Sequence, residues 1–157
     1  MPEIERKWLV EEVPSLDDGA WSSSRLEQGY LAVTEDVEVR VRRVDGAGGA
    51  SRLTVKSAPG LSRVEEELGL DGAAFERLWP LTEGRRVVKT RWTRREEAGL
   101  LLELDVYEGS LAGLAVLEVE FGSESEAGAW SPPAWVGREV TGEKAYANQS
   151  LALYGAP

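Results

Sequence analysis

Short segments in which apolar and charged residues alternate run through most of the chain. Alternation with a period of two places successive side chains on opposite faces and is typical of β-strands rather than helices. Eight segments show it, at residues 3–10, 27–33, 37–44, 52–57, 63–70, 86–93, 100–107 and 114–122. Short clusters of Gly, Ser and Pro separate them, so the pattern predicts an antiparallel sheet or barrel with mostly hairpin connections.

Helical signals are few and lie between or after these segments. Asp71 is placed to cap a short helix that ends at Pro80, and Ser123 and Glu126 have the spacing of a capping box. We expect Thr141 to cap a last helix. That helix would carry Lys144, Tyr146, Leu151 and Leu153. The chain is therefore predicted to be a single domain over residues 1–157, mainly β within the α+β class, with a few short helices packed outside the sheet.

Composition limits the chemistry that this sheet can perform. The 157 residues include 28 acidic and 18 basic side chains, a net charge of -10, with no histidine and no cysteine. These absences exclude imidazole and thiolate metal sites, cysteine nucleophiles and disulfides. Oxygen ligands remain, and they select hard cations such as Mg²⁺, Mn²⁺ or Ca²⁺.

Charge and hydropathy also bear on location and partners. Taken over the whole chain, the excess of acid argues against a nucleic-acid or anionic-membrane surface. The N-terminal sequence MPEIERKWLV lacks the apolar core of a signal peptide, and no stretch approaches ~18 apolar residues. We expect a cytoplasmic protein that binds neither nucleic acid nor membrane. The sequence leaves open whether it is a monomer or a homodimer.

The polar positions of the predicted strands are almost all charged, and residues of the same sign recur two apart. They are Glu3, Glu5, Lys7, Arg40, Arg42, Arg52, Lys56, Arg63, Glu65, Glu67, Lys89, Arg91, Glu103, Asp105, Glu118 and Glu120. A solvated face is the simplest interpretation, since antiparallel sheets commonly expose one face. Like charges on one strand face repel, however, unless a ligand of opposite charge lies between them.

If the charged face is turned inward, two kinds of subsite follow. Carboxylate pairs such as Glu3 with Glu5 and Glu118 with Glu120 can hold a divalent cation, and arginine or lysine pairs can bind phosphate oxygens. A metal ion together with cationic side chains is what phosphoryl transfer requires.

An ordered series of motifs resembles the CYTH family, also called the triphosphate tunnel metalloenzymes. The segment Glu3-Ile4-Glu5-Arg6-Lys7 is similar to the ExExK signature of that family. The series continues with QGYL at 28–31, VRVR at 39–42, LTVKS at 53–57, R-x-E-x-E at 63–67, KTRW at 89–92, ELD at 103–105, LEVEF at 117–121, EVT at 139–141 and YAN at 146–148. ExExK alone is a weak signal, but the ordered series spans nearly the whole chain.

The resemblance implies a closed eight-stranded antiparallel β-barrel, the tunnel, with a C-terminal helix near one mouth. Its charged interior would bind a triphosphate-containing substrate with Mg²⁺ or Mn²⁺. The implied metal ligands are Glu3, Glu5, Glu118 and Glu120, with Asp105 as a further candidate. The implied phosphate-binding residues are Lys7, Arg40, Arg42, Lys56, Arg63, Lys89, Arg91 and Lys144. Candidates for a second metal or for positioning the attacking water are Glu65, Glu67, Glu103 and Asp105.

Further roles are assigned within the motifs. The candidate catalytic residues are Lys7, Lys56, Glu67 and Asp105, with Lys56 as a group that could protonate the leaving phosphate. We expect Arg6 to point outward and pair with an acid, and Trp8 and Trp92 to pack under helices rather than to bind a base. Asn148 is expected to cap or to bond the backbone rather than to contact substrate.

The function that these residues favour is a metal-dependent triphosphatase acting on inorganic tripolyphosphate or a related short chain. The barrel uses nearly the whole chain, which leaves little for a base-recognition domain. Alternatives within the family are a thiamine triphosphatase, a nucleoside triphosphatase and a class IV adenylate cyclase. A different class is a non-catalytic module that binds polyphosphate or nucleotide. The intact set of carboxylates argues against such a module, which would need the arginines but not every acid.

Overall fold

Eight antiparallel strands form one sheet in the computed structural model, which describes residues 3–46, 49–58 and 63–157. The strands are β1 (Ile4–Leu9), β2 (Ser22–Val33), β3 (Val37–Val44), β4 (Ser51–Ser57), β5 (Glu65–Leu70), β6 (Arg86–Arg95), β7 (Leu101–Tyr107) and β8 (Ala115–Phe121). Their order across the sheet is β1-β8-β7-β6-β2-β3-β4-β5. The helices are α1 (Gly72–Leu78), α2 (Glu124–Ala129) and α3 (Asn148–Tyr154), with 3₁₀ turns at Trp79–Thr82, Gly109–Leu111 and Lys144–Tyr146.

The mainly antiparallel fold is confirmed, but the predicted closure into a barrel is wrong for the part of the chain described. β1 and β5 are the two edges of the sheet and do not pair with each other. Both edges bring glutamates to the same face, and like charges placed opposite each other disfavour pairing. Alternation along a strand determines which face a side chain takes, whereas it says nothing about whether two edges meet.

The register brings the charged positions of neighbouring strands side by side. Glu5 lies opposite Glu120 and Lys7 opposite Glu118 where β1 pairs with β8. Arg91 lies opposite Asp105 where β6 pairs with β7. We call the side that these residues share the charged face. It carries Glu5, Lys7, Arg40, Arg42, Lys89, Arg91, Glu103, Asp105, Glu118 and Glu120.

The opposite face of β1, β7 and β8 is apolar and holds the main core. Trp8, Leu102, Leu104 and Leu117 are buried there, and Trp92 packs against the same cluster. The ring of Trp8 lies 5.2 Å from that of Trp130, which directly follows α2. The packing role expected for Trp8 and Trp92 is confirmed.

Two helix caps form as predicted. The Asp71 carboxylate accepts a hydrogen bond of 2.7 Å from the Ala74 N–H at the start of α1. The Ser123 hydroxyl oxygen accepts one of 3.1 Å from the Glu126 N–H at the start of α2. Strand β2 begins earlier than predicted, because a serine run that lacks apolar alternation pairs with the last residues of β6.

The predicted cap at Thr141 is wrong, since α3 begins only at Asn148. The Thr141 hydroxyl instead accepts a 3.0 Å hydrogen bond from the Lys7 N–H and donates one of 2.8 Å to Glu139. Gly142 then takes a left-handed conformation with φ of 75°, which ends any helical course from Thr141. The segment at Val140 and Thr141 is therefore attached to β1, and only the 3₁₀ turn at Lys144–Tyr146 precedes α3.

Helix α3 covers one end of the charged face. Leu151 packs with Tyr30, Val87, Tyr107 and Val116 in a second apolar cluster. The register places these partners on the same side of the sheet as Arg40, Gln28 and Lys89. The C-terminal helix thus lies beside the cationic residues, as the resemblance implied. None of the described helices is both long and apolar enough to cross a membrane.

Arg6 points away from the charged face and binds Glu139 through two hydrogen bonds of 2.8 and 2.9 Å, as expected for an outward residue. The Arg6 hydrogen bond lowers the pKa of Glu139 to about 2 from an ordinary value of 4.5. A depressed carboxyl pKa contributes stability above the unfolded value, and this contribution is lost as the pH falls toward the folded value. The pair therefore tethers the segment before α3 to β1 at neutral pH.

We predict that Glu139→Gln lowers the free energy of unfolding by up to about 1 kcal/mol at pH 7, since the Glu139 side chain is 40% exposed. The difference from wild type should shrink below pH 4.5 and vanish near pH 2. Urea unfolding across this pH range measures it. Glu143→Gln, which removes a more exposed pair with Arg138, is the control, and a Glu139→Gln difference that stayed constant with pH would contradict the prediction.

Candidate active site

Four cations from two strands surround a small cavity on the charged face. Arg40 and Arg42 come from β3, and Lys89 and Arg91 come from β6. Strand β2 lies between them in the sheet and presents no charge to the cavity. The cavity has a volume of about 170 Å³ and is lined by Leu26, Gln28, Arg40, Arg42, Val87, Lys89, Arg91 and Asn148. The uncharged side chains of β2 leave the space between the cations free for a ligand.

Asp105 holds the two cations of β6. Its Oδ2 lies 2.7 Å from Lys89 Nζ and 2.9 Å from one terminal nitrogen of Arg91, and its Oδ1 lies 2.8 Å from Arg91 Nε. Only 1% of Asp105 is exposed. Burial acts to raise the pKa of Asp105, but the hydrogen bonds from Arg91 and the charge of Lys89 outweigh it and lower that pKa. Asp105 is thus a buried carboxylate with both oxygens bound to cations.

The cations of β3 are half-buried and lack partners equivalent to Asp105. The Nε atoms of Arg40 and Arg42 are buried and find no hydrogen-bond partner among the described residues. Arg40 lies 3.5 Å from Glu38, whereas the described residues form no ion pair with Arg42. Burial, with Arg91 and Arg40 nearby, lowers the pKa of Arg42. Partly desolvated cations with few partners are costly, and an anionic ligand in the cavity would compensate them.

The carboxylates of the charged face gather on β1, β7 and β8. Lys7 Nζ lies 2.9 Å from Glu118, and Arg91 lies 2.6 Å from Glu103 and 3.8 Å from Glu118. Burial, followed by the charge of Glu118, raises the pKa of Glu5, and Glu3 and Glu120 add to this effect. Burial also raises the pKa of Glu103. Negative charge is therefore concentrated along this wall.

These carboxylates fit a hard divalent cation by their chemistry. In the described residues, no three acids converge tightly enough to form a ready-made metal centre. Burial first, and then the charges of Glu118, Glu3 and Glu120, raise the pKa of Glu5, and a divalent cation bound through oxygen would relieve the repulsion among these carboxylates. Asp105 fits this role poorly, because a metal ion would have to displace Lys89 or Arg91 from its oxygens.

The remaining predicted residues lie toward the edges of the sheet. Lys56 is 3.7 Å from Glu65, and Glu67 is 2.9 Å from Arg52, both across the β4–β5 ladder. Arg63 precedes β5, is exposed and lines a cavity of about 270 Å³ with Lys56. Lys144 is exposed and lines a larger cavity of about 580 Å³ with Glu3, Glu5 and Lys7. The structure thus gathers the residues of β1, β3, β6, β7 and β8, and Glu67 of β5 adjoins them by lining a cavity of about 330 Å³ with Arg40 and Arg42.

Two residues that the sequence analysis did not assign to the site lie beside Lys89. Asn148 Oδ1 accepts hydrogen bonds from Tyr107 Oη at 2.9 Å and from Lys89 Nζ at 3.4 Å. The expectation that Asn148 caps or bonds the backbone is wrong, since its side chain bonds these two side chains. Burial raises the pKa of Tyr107, as does the charge of Asp105. Tyr107 follows Asp105 by two positions, so the strand period could have placed it on the charged face.

Comparison with known proteins bears directly on this arrangement. A sequence model of the CYTH domain matches residues 1–149. The chain belongs to the CYTH family. This CYTH protein is 49% identical over 154 residues to an inorganic triphosphatase of Nitrosomonas europaea, with 98% of each chain covered. It is 36% identical over 153 residues to an inorganic triphosphatase of Acetivibrio thermocellus, with 95% of this chain and 92% of the relative covered.

A solved structure agrees with these similarities. The crystal structure of an inorganic triphosphatase matches the CYTH protein with a TM-score of 0.83 and 44% identity. The match covers 100% of this chain and 98% of the other. The sequence-based expectation of the CYTH family is confirmed.

We predict that Asp105→Asn destabilises this CYTH protein by roughly 3 kcal/mol or more, because it leaves the buried Lys89 without its carboxylate partner and removes the bidentate pair with Arg91. Denaturant unfolding at pH 7 measures the loss. Glu67→Gln breaks a partly exposed pair and should cost no more than about 1 kcal/mol. Equal stability of Asp105→Asn and wild type would refute the role of Asp105 as the counter-ion of the cluster.

Proposed function

We propose that this CYTH protein is a divalent-metal-dependent inorganic triphosphatase, which hydrolyses tripolyphosphate to pyrophosphate and phosphate. The observation that carries the proposal is the cluster of Arg40, Arg42, Lys89 and Arg91 around one cavity, in which the half-buried cations of β3 are only partly compensated by acids. Its charge suits a small polyanion. The two relatives described above, each named an inorganic triphosphatase, support the same reaction.

The cationic residues bind and orient the substrate in this proposal. Arg40, Arg42, Lys89 and Arg91 contact its phosphate oxygens, and Lys7 contacts them from β1. Asp105 holds Lys89 and Arg91 in place before the substrate arrives. Such preorganised donors stabilise the charge that spreads over the equatorial oxygens of the phosphoryl group in the transition state. Lys56, Arg63 and Lys144, which lie toward the edges, extend the path of positive charge.

Glu3, Glu5, Glu118 and Glu120 are the residues that would hold Mg²⁺ or Mn²⁺. When bound, such an ion neutralises phosphate charge and makes coordinated water a better nucleophile. Glu103 lies beside Glu118 in the β7–β8 register and supports this wall. We assign Asp105 to positioning the cations rather than to the metal, because both of its oxygens bind Lys89 and Arg91.

The chemical step is attack of water on a terminal phosphorus, in line with the bond to the bridging oxygen. The new P–O bond forms as the bridging P–O bond breaks, and pyrophosphate leaves with the electron pair. Lys56 is the proposed donor of a proton to the leaving group, and Glu67, on the neighbouring strand, is the proposed group that positions water. We further infer a single domain over residues 1–157 in the cytoplasm, as a monomer or homodimer that binds neither nucleic acid nor membrane.

The location of the tryptophans favours an inorganic substrate over a nucleotide or thiamine derivative. Five of the six tryptophans belong to or pack against the apolar core on the face opposite the site. The sixth, Trp79, stacks on Phe75 of α1. No tryptophan therefore offers a stacking platform to a base or thiazolium at the cavity.

We predict that the purified protein with Mg²⁺ or Mn²⁺ releases phosphate from tripolyphosphate much faster than from ATP or thiamine triphosphate. Glu5→Gln and Arg42→Ala should each lower kcat/KM by roughly 10²-fold or more, because each removes charge stabilisation at the phosphates. Glu97→Gln and Arg77→Ala change exposed residues of the same types and should leave kcat/KM within about twofold. Phosphate release under single-substrate conditions measures all four variants.

Other results of this assay would point to a different function. Release of cyclic AMP from ATP would identify a cyclase, and preferential turnover of thiamine triphosphate or ATP would move the substrate class accordingly. Tight tripolyphosphate binding without turnover of any of the three substrates would identify a binding module. Full activity of Glu5→Gln or Arg42→Ala would contradict the assignment of the site.

A further inference from the structure

Asn148 is held at the cationic cavity by the packing of its own helix. It is the first residue of α3, and Leu151 and Ala152 in the same helix pack against the apolar end of the charged face. Asn148 lines the cavity of about 170 Å³ together with Arg40, Arg42, Lys89 and Arg91. The neighbouring Gln149 donates a 2.9 Å hydrogen bond to Glu38 on β3. The start of α3 is thus fixed on both sides of the cavity.

The contacts of Asn148 determine which way its amide group points. An ammonium group can only donate hydrogen bonds, so the atom that faces Lys89 Nζ at 3.4 Å must be the carbonyl oxygen. The Tyr107 hydroxyl donates to the same oxygen at 2.9 Å. Nδ2 therefore points away from these partners, and no described residue accepts a hydrogen bond from it. An unused pair of N–H donors thus belongs to a residue that lines the anion-binding cavity.

We infer that Asn148 contacts the substrate directly, donating a hydrogen bond from Nδ2 to a phosphate oxygen while its Oδ1 holds the Lys89 ammonium beside the same phosphate. The inference rests on the proposed function, because it takes tripolyphosphate as the occupant of the cavity. A neutral donor suits this position, since it adds a directional hydrogen bond without increasing the repulsion among four neighbouring cations.

Two substitutions separate a phosphate contact from a purely structural anchor. Asn148→Asp keeps an acceptor for Lys89 and Tyr107 but replaces the donor with an anionic oxygen, whereas Asn148→Ala removes both. If Asn148 contacts phosphate, tripolyphosphate should bind Asn148→Ala roughly tenfold more weakly than wild type. It should bind Asn148→Asp at least roughly tenfold more weakly still, because an anion would face the substrate. A structural anchor would give the opposite order, since the carboxylate would hold Lys89 better than a methyl group.

Calorimetric titration with tripolyphosphate in metal-free buffer measures this order without turnover. Ser150→Asp adds the same charge to the same helix at a position outside the cavity and should bind within about twofold of wild type. Thermal unfolding shows whether each variant is folded. Tighter binding by Asn148→Asp than by Asn148→Ala would overturn the inference. If wild type and the two variants bind tripolyphosphate in the expected order but the wild type does not hydrolyse it, the proposed function alone is rejected.

A measurement on the wild-type protein tests the inference even if the variants fail to fold. Asn148 is the only asparagine in the chain, so labelling asparagine with ¹⁵N gives one side-chain amide signal. On titration with tripolyphosphate, its proton resonances should move downfield as Nδ2 donates to a charged oxygen. The side-chain amide of Gln149, labelled separately, already donates to Glu38 outside the cavity and serves as the reference. An Asn148 amide that did not shift at saturating tripolyphosphate would overturn the inference.

Discussion

The bond between Asp105 and the two cations of β6 is the interaction on which the site depends. A single carboxylate, almost completely buried, is shared between Lys89 and Arg91. Without it, the buried Lys89 would lose its carboxylate partner and Arg91 would keep only Glu103 and Glu118, beside an Arg42 that the described residues do not pair. The cluster is stable because the positive charges of Lys89 and Arg91 are compensated by a carboxylate of the neighbouring strand. Arg40 and Arg42 on the other side of the cluster can be compensated by a ligand. The cations of β6 therefore depend on the protein, and those of β3 on the substrate.

The division of charge across the face follows from strand order rather than from composition. An overall charge of -10 suggests a protein unsuited to polyanions. The sheet places acids on β1, β7 and β8, and on β3 it places Arg40 and Arg42, of which only Arg40 has an ion-pair partner among the described residues. The cations of β6 lie between these two groups. A polyanion can thus meet positive charge on one wall, while a divalent cation can meet carboxylates on the other. Strand β2, which turns the uncharged side chains of Leu26 and Gln28 toward the cavity, separates the cations and gives the substrate room.

Sequence reasoning recovered the strands, the caps of α1 and α2 and the side of the sheet to which each charged residue belongs, because all of these follow from local periodicity. Three features were beyond its reach. Sheet closure depends on how two distant edges meet, and the path from Thr141 to Asn148 depends on attachment to Lys7 of β1. The pairing of Asp105 with two cations depends on the register between β6 and β7, and its chemistry changes from a candidate metal ligand to a counter-ion as a result.

The separation of β1 from β5 has a consequence for how a ligand reaches the charged face. A closed ring would require a phosphate chain to thread in end first, and α3 covers one of its two ends. In the described part of the chain β1 and β5 do not pair; residues 137–140 bond to the outer edge of β1, and β5 has no strand partner on its outer side. A short phosphate chain can then reach the charged face across the β5 side as well as from an end. Access to the site then depends on the charge of this face and not on the width of a closed passage.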